Sequence, residues 1–262
     1  MIAWQLTRST TGESLVVALP DGRARTVPGN HPTFDRLLTH LRSPDPDPAT
    51  VHDLLDVAGV AARELRQLSE RVSYLDGVIH FDGNPLDNAL SRHLVRLIRS
   101  GDRSYPSLVR FMENLSANPS GRSRTQLFTW LADRDMTITP DGHFVGYKGV
   151  RDDDANGSIH AGRASVNDVE HTGHIPNLPG AVVQMPRQQV SDDRHEGCAS
   201  GLHVGTWQYA STFGRRVLIV AVNPRDVVSV PKDCDHQKLR TCRYTVLDVI
   251  RAPLTTPSYL TV

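Results

Sequence analysis

The first half of the chain carries apolar residues at the three- and four-residue spacing of amphipathic helices. Phe34, Leu37 and Leu41 predict one helix. A second helix is expected to be capped by Thr50, and Gly59 is expected to separate it from a third. The same spacing predicts three further helices, over 86–98, 105–115 and 125–131. The N-terminal half is therefore predicted to be mainly helical.

Alternating and continuous apolar runs predict strands in other parts of the chain. Asp76-Gly77 lies between two such runs, which is the strongest short signal for a β-hairpin. The predicted fold class is α+β. A mainly helical region with small hairpins is expected over 1–134, and a β-rich domain over 135–262 is expected to begin near Asp135. The second region carries the motifs GLHVG and VNPRDVVSVP and two apolar runs, at 217–222 and 226–230.

The charge balance argues against a protein that binds nucleic acid over a large surface. Lys plus Arg and Asp plus Glu both number 29, so the formal net charge is zero. Proteins that bind nucleic acid usually carry a basic excess, because contacts to phosphate supply most of their non-specific affinity. No apolar run is long enough for a transmembrane helix, and the first ten residues lack a signal-peptide layout. The three cysteines favour a reducing compartment, so a cytosolic protein is expected.

One segment keeps a DNA-binding alternative open. Two short predicted helices and a hairpin over 50–82 outline a winged helix-turn-helix. The arginines of that segment, Arg63, Arg66 and Arg71, are accompanied by Glu64 and Glu70. Helix–turn–helix–hairpin units are common in small α+β domains, so we favour a structural role for this segment.

Residues of zinc-ligand type cluster in the C-terminal part of the chain, where His195, Cys198 and Cys234 are the candidate ligands. Their spacing contains no tight pair such as Cys-x-x-Cys, so no metal site is predicted. A nucleophile at Cys198 or Ser200 lacks the Gly-x-Ser-x-Gly elbow. No catalytic residue is assigned on these grounds.

The order of elements around two glycine-containing strands resembles the split-sheet core of ADP-ribosyltransferase-like folds. The strand at 144–149 and the segment at 201–206 precede a short helix and an apolar strand. The resemblance implies a cleft lined by Tyr147 and His203, with Lys148 or Arg151 near the pyrophosphate of NAD. It also makes Gly201, Gly205 and Thr206 candidates for cofactor contacts. No glutamate stands where that family places its catalytic acid. An NAD-handling enzyme is therefore only an alternative interpretation of the chain.

Several linked motifs resemble the rIIB-like proteins of tailed bacteriophages. They occur in the family's order and read GYKGVRDD, IHAG, MPRQQVSDDR, GLHVGTWQYASTFG and VNPRDVVSVPKD. The resemblance implies a phage accessory protein that acts in the host cytoplasm, in resistance to prophage exclusion or in lysis control. It implies a protein partner, either rIIA-like or from the host, or a homo-oligomer, and association with the inner face of the membrane. It carries over no catalytic residue and no cofactor.

One further basic group follows these motifs. Lys238, Arg240 and Arg243 are predicted to form either a basic strip or an ordinary solvated strand face.

Overall fold

The structure is a computed structural model that describes residues 2–9, 12–19, 22–102, 104–132 and 137–254. Its contacts divide the chain into two compact units, an N-terminal unit (Met1–Pro106) and a C-terminal unit (Ser107–Val262). The boundary expected near Asp135 falls within 133–136, outside the described residues, and it stays a prediction. The helices and strands confirm an α+β protein.

The N-terminal unit contains two three-stranded antiparallel sheets and four helices, and a fifth helix begins at its end. In chain order they are β1 (Trp4–Ser9), β2 (Gly12–Ala18), β3 (Ala24–Pro28), α1 (Phe34–Leu41), α2 (Pro48–Leu55), α3 (Val57–Leu68), β4 (Val72–Leu75), β5 (Val78–Phe81), β6 (Asn84–Pro85), α4 (Ala89–Ser100) and α5 (Tyr105–Ser116).

The first sheet and the first two helices share one apolar core. Leu15 and Val17 of β2 are completely buried, as is Leu37 of α1, and Val51 of α2 joins the same cluster. These positions follow the period of two in the strand and the helical spacing in α1. The helical spacing of Phe34, Leu37 and Leu41 therefore predicted the buried face of α1 correctly.

The prediction that Thr50 caps α2 is wrong. The N-cap is Asp47, whose carboxylate accepts hydrogen bonds from the main-chain nitrogens of Ala49 (3.3 Å) and Thr50 (2.8 Å). Pro48 occupies the first helical position, where its missing N–H costs no hydrogen bond. The helix consequently begins at the end of the proline-rich stretch 43–48.

The separation of α2 from α3 lies at Asp56 and not at Gly59. Asp56 has non-helical torsions, and its side chain accepts from the nitrogen of Gly59 at 3.0 Å. Gly59 is thus part of the first turn of α3. The hairpin of β4 and β5 is confirmed, with Leu75 opposite Val78 and positive φ at both Asp76 and Gly77.

The arginines around α3 are paired with carboxylates or with the helix backbone. Arg63 contacts Asp53 at 2.6 Å, and Arg71 contacts Asp82 at 2.7 Å. Arg66 donates to the main-chain oxygen of Ala62 at 3.2 Å. These ion pairs reduce the positive charge that the segment offers to phosphate groups.

The C-terminal unit contains a nine-stranded antiparallel sheet with helices beside it. Its further elements are α6 (Gly121–Ala132), β7 (Phe144–Val150), β8 (Gly162–Val166), β9 (Val169–Gly173), β10 (Val182–Gln184), β11 (Leu202–Gly205), α7 (Trp207–Phe213), β12 (Arg216–Val222), β13 (Val227–Ser229), β14 (Lys238–Thr241) and β15 (Arg243–Ile250). The strand order is β13-β14-β11-β7-β12-β15-β10-β8-β9.

The strand β12 lies in the middle of this sheet, between β7 and β15. Its residues from Val217 to Val222 are all buried, as expected of an apolar run covered on both faces. The predicted strands at 217–222 and 226–230 are therefore confirmed, although the second is shortened to β13 because Pro224 and Asp226 form a 3₁₀ turn capped by Asn223.

The helix α6 covers the edge of the sheet at β13. The Ser123 hydroxyl donates to the oxygen of Val228 at 2.6 Å, and the Gln126 side-chain oxygen accepts from the nitrogen of Val230 at 2.9 Å. These bonds satisfy main-chain groups that an edge strand would otherwise leave free. Among the described residues, no helix has the length and apolar character needed to span a bilayer.

Candidate functional site

A cavity of about 440 Å³ lies in the C-terminal unit beside the middle of the sheet. Strands β7, β8, β10, β11, β14 and β15 contribute to its walls, together with α7 and the segments 158–161 and 198–201. The cavity therefore gathers residues that are far apart in the sequence.

Lys148 of β7 supplies a cation to the cavity wall. Its Nζ donates to the main-chain oxygen of His203 at 3.1 Å and lies 5.3 Å from the centre of the Tyr244 ring. Within the ranges that the structure describes, no carboxylate pairs with it. Burial lowers the pKa of Lys148 to about 8, because removing the ammonium from water disfavours its charged form.

His203 of β11 lines the same cavity, and one of its ring nitrogens is buried without a partner among the described residues. Its Nε2 is closed off from solvent and has no hydrogen bond to any described residue. Burial, followed by the positive charges of Lys148, Lys238 and Arg240, lowers the pKa of His203 to about 3. The imidazole is therefore neutral at physiological pH.

Lys238 of β14 is the second lysine of the wall, and its charge is compensated. Its Nζ lies 2.7 Å from Asp233 Oδ2 and 2.9 Å from the main-chain oxygen of Gly197. It also lies 5.8 Å from the centre of the Tyr209 ring. Burial first, and then the negative charges nearby, raise the pKa of Tyr209 to about 12. Tyr209 is thus a neutral phenol near neutral pH.

Two aromatic rings of α7 form an apolar wall. Tyr209 and Phe213 lie one helical turn apart, and their ring centres are 5.5 Å from each other in a stacked arrangement. The ring of His160 lies 5.6 Å from that of Phe213. All three residues line the cavity. The site thus combines a planar apolar surface with the amine of Lys148, which has no carboxylate partner among the described residues.

Arg240 of β14 fixes the loop that closes one side of the cavity. It is completely buried, and it donates to the main-chain oxygens of Asp193 (2.9 Å), Gly197 (3.2 Å) and Glu196. Because a guanidinium offers five donors in a fixed plane, one side chain can hold several carbonyl groups of an irregular segment. At the end of this loop Gly201 has a φ of +147°, and a Cβ there would lie 2.9 Å from Val190 Cγ1.

A family model described as Bacteriophage T4 protein rIIB matches residues 7–262. The chain belongs to this family. The resemblance to rIIB-like phage proteins found in the sequence is thereby confirmed.

Protein rIIB of Enterobacteria phage T4 is 33% identical to the chain over 231 residues, which cover 85% of this chain and 66% of the relative. The chain thus spans about two thirds of the length of that relative. No solved structure matches the chain. Several of the motifs that carry the rIIB resemblance contribute residues to the cavity: GYKGV lies in β7, GLHVG contains β11, and α7 follows directly.

In this rIIB-family protein, Tyr147 and Arg151 lie outside the cavity. Tyr147 precedes Lys148 on β7, and neighbouring residues of a strand point to opposite faces. Its hydroxyl accepts from the nitrogen of Leu254 at 3.1 Å, and its ring lies edge-on to Trp207. Arg151 contacts Asp153 at 3.1 Å. Of the residues proposed for an NAD cleft, Lys148, Gly201 and His203 line the cavity.

The remaining cofactor candidates hold α7 against the sheet. Thr206 is the N-cap of α7, and its hydroxyl accepts from the nitrogen of Tyr209 at 3.2 Å. At Gly205 a Cβ would lie 2.5 Å from the main-chain oxygen of Gln237, so the close approach of two backbones requires glycine. Neither residue lines the cavity, and a cofactor role for them stays a prediction.

The metal-ligand candidates are spread along the loops. Cys198 is exposed and lines the cavity, whereas Cys234 is exposed beside Asp233. The main-chain nitrogen of His195 donates a hydrogen bond to Asp193 Oδ1. Searched over the described residues, the chain brings no three His, Cys, Asp or Glu side chains together as a metal site would require.

Sequence reasoning did not identify several residues of the site. Tyr209, Phe213 and Tyr244 line the cavity, yet the sequence patterns predicted a site role for none of them. The spacing of Tyr209 and Phe213, four residues apart on a helix, places both rings on one face and was a usable signal. Lys238 and Arg240 are buried and Arg243 alone of the three is exposed, so the prediction of a basic strip or a solvated strand face is wrong.

Proposed function

We propose that this chain acts in the infected host cell as an rIIB-type accessory protein, in resistance to exclusion or in lysis control. It does so by binding an rIIA-like or host protein or by assembling with further copies of itself. The observation that carries the proposal is the match of the rIIB family model over residues 7–262. Because the chain spans about two thirds of its phage T4 relative, the role of that whole protein is extended to this chain only as part of the proposal.

The proposed location is the host cytoplasm, with peripheral association at the inner face of the membrane. The zero net charge gives no general attraction to anionic lipid, so membrane association would depend on a bound partner. Fractionation of infected cells tests this step. The chain is expected in the membrane pellet only while its partner is present, and in the soluble fraction otherwise.

A phage that carries a stop codon early in this gene tests the biological role. The matched control carries a synonymous codon at the same place. We expect the stop-codon phage to plate poorly on a host with a resident prophage, or to lyse its host at an altered time, and a plasmid copy of the gene to restore the wild-type behaviour. Equal plating and equal lysis times for both phages would contradict the proposed role.

The binding step has a separate test. Light scattering coupled to size exclusion gives the mass of the purified chain, which is 29.0 kDa for a monomer. A dimer or larger assembly supports self-assembly. A monomer that captures one defined phage or host protein from infected cells, and does not capture it when unfolded, supports partner binding. A strict monomer that captures nothing would contradict both routes.

A second candidate is an NAD-handling enzyme with an ADP-ribosyltransferase-like core. The observation that favours it is the proximity of Lys148, Gly201 and His203 at one cavity beside two stacked rings. Its test is release of nicotinamide from NAD, followed by chromatography, with His203→Ala as the variant. Release by the wild type and its loss in the variant are expected. Absence of release by the wild type would reject this candidate.

A further inference from the structure

We propose that the cavity beside β7 and β11 binds a small organic anion. A phosphate or carboxylate of the ligand pairs with Lys148 Nζ and, once the His203 ring turns toward it, accepts a hydrogen bond from His203 Nε2. A planar apolar part of the ligand lies against Tyr209 and Phe213. The proposal is independent of the protein partner proposed above, because it concerns a cavity inside the C-terminal unit.

The charge of Lys148 is the first argument. An ammonium removed from water loses hydration energy, and proteins usually compensate for this with a carboxylate. Lys238, on the same wall, has such a partner in Asp233 at 2.7 Å. The described contacts of the Lys148 amine are one main-chain oxygen and one ring. An anion in the cavity would provide the missing opposite charge.

The Nε2 atom of His203 is the second argument. Buried polar atoms in native proteins almost always have a hydrogen-bond partner. This atom has none among the described residues, although it belongs to a side chain that lines the cavity. Since the imidazole is neutral, its Nε2–H tautomer donates one hydrogen bond without adding a second charge. Lys148 and His203 together therefore suit one anionic group.

The size and the apolar wall define the rest of the ligand. Small-molecule sites usually measure about 300–1,000 Å³, and this cavity measures about 440 Å³. That volume accommodates a molecule as large as a nucleoside monophosphate. The stacked pair of Tyr209 and Phe213 offers a flat surface on which an aromatic ring can pack.

Calorimetry on the purified full-length chain tests the proposal with pairs of probes that differ only in charge. AMP and adenosine form the phosphate pair, and benzoate and benzamide form the carboxylate pair. We expect one anion to bind and its neutral counterpart to bind at least about tenfold more weakly, as the loss of a charge-assisted contact implies. The pair that responds distinguishes a phosphate ligand from a carboxylate ligand.

The variant Lys148→Met removes the charge while keeping the length of the side chain, and we expect at least about a tenfold loss of affinity. Lys232→Met is the matched control, because Lys232 is exposed and lies outside the cavity. His203→Gln tests the hydrogen bond alone, with an expected loss of about threefold to tenfold.

Amide chemical shifts of the wild type provide a readout that does not depend on the folding of a variant. The resonances of Gly201 and His203 are expected to move when the bound anion is added and to stay unchanged with its neutral counterpart. Three results would overturn the proposal: no anionic probe binds, the neutral probes bind as tightly as the anions, or a folded Lys148→Met variant keeps its affinity.

Discussion

Arg240 donates from Nη1 to the main-chain oxygen of Asp193 at 2.9 Å. The two residues belong to different parts of the C-terminal unit, because Arg240 lies on β14 and Asp193 lies in the loop over 190–200. Further bonds from Arg240 reach the oxygens of Glu196 and Gly197. One buried side chain thus holds the loop that brings Cys198 and Ser200 to the cavity.

Replacing Arg240 with methionine is expected to lower the free energy of unfolding by about 2–4 kcal/mol, because several partly buried main-chain carbonyl groups lose their donor. Urea unfolding of the purified chain measures the change. Arg243→Met is the control, since Arg243 is exposed, and its effect should stay within about 0.5 kcal/mol. Similar losses of unfolding free energy in the two variants would show that the hydrogen bonds from Arg240 to the loop do not stabilise the fold.

Gly149 allows α7 to pack closely on β7. A Cβ at this position would lie 2.4 Å from the oxygen of Ala210 and 2.8 Å from the nitrogen of Gly214, both main-chain atoms. Since backbone atoms cannot turn aside as side chains do, Gly149→Ala is expected to cost about 1–3 kcal/mol of stability. Thermal and urea unfolding measure it.

Gly162→Ala is the matched control for this prediction. Gly162 is also a strand residue of the same sheet, and a Cβ there meets no atom within 4 Å. Its substitution is expected to change stability by less than about 0.5 kcal/mol. If both alanine variants unfold at the wild-type urea concentration, the close packing of α7 on β7 is refuted.

The three cysteines are expected to differ in reactivity. Cys198 and Cys234 are exposed, whereas Cys242 is half-buried and burial raises the pKa of its thiol. Since the thiolate is the reacting species, iodoacetamide should label Cys242 at least about tenfold more slowly than Cys198 near neutral pH. Mass mapping at successive times measures the order. Labelling of Cys242 first would contradict its placement.

Local patterns in the sequence predicted those elements whose determinants are local. The hairpin at Asp76-Gly77 forms because both residues accept positive φ, and β12 forms from a continuous apolar run. The cap of α2 was missed because Asp47 and Thr50 are both good cap residues. Pro48 decides between them, since proline favours the first helical position.

The cavity could be predicted only in part. Alternation along β7 implies that Tyr147 and Lys148 point to opposite faces, so they do not line the same wall. Nothing local indicates that β11 pairs with β7, because the strands are separated by more than fifty residues. The burial of Arg240 is equally non-local. A polar residue in a short strand normally indicates a solvated face, and β14 is instead buried along its whole length.

The burial of Lys148 makes the stability of the folded chain depend on pH. Its pKa falls from the ordinary 10.5 to about 8 in the folded protein because of burial. Below about pH 8 both the folded and the unfolded chain carry the proton, and the full cost of the buried charge is present. Between about pH 8 and 10.5 the unfolded chain binds more protons than the folded chain, so the free energy of unfolding rises with pH.

The variant Lys148→Met isolates this contribution, because every other titrating group is shared with the wild type. Burial lowers the pKa of His203 to about 3 and raises that of Tyr244 above its ordinary value, so neither neighbour changes charge in the window. Urea unfolding at successive values from about pH 7 to pH 10 measures the difference in unfolding free energy between wild type and variant. Below about pH 8 this difference in unfolding free energy should be constant. Above about pH 8 it should shift in favour of the wild type. A difference that stays flat throughout, or that shifts in favour of the variant, would mean that the Lys148 amine is solvated or already has an acidic partner.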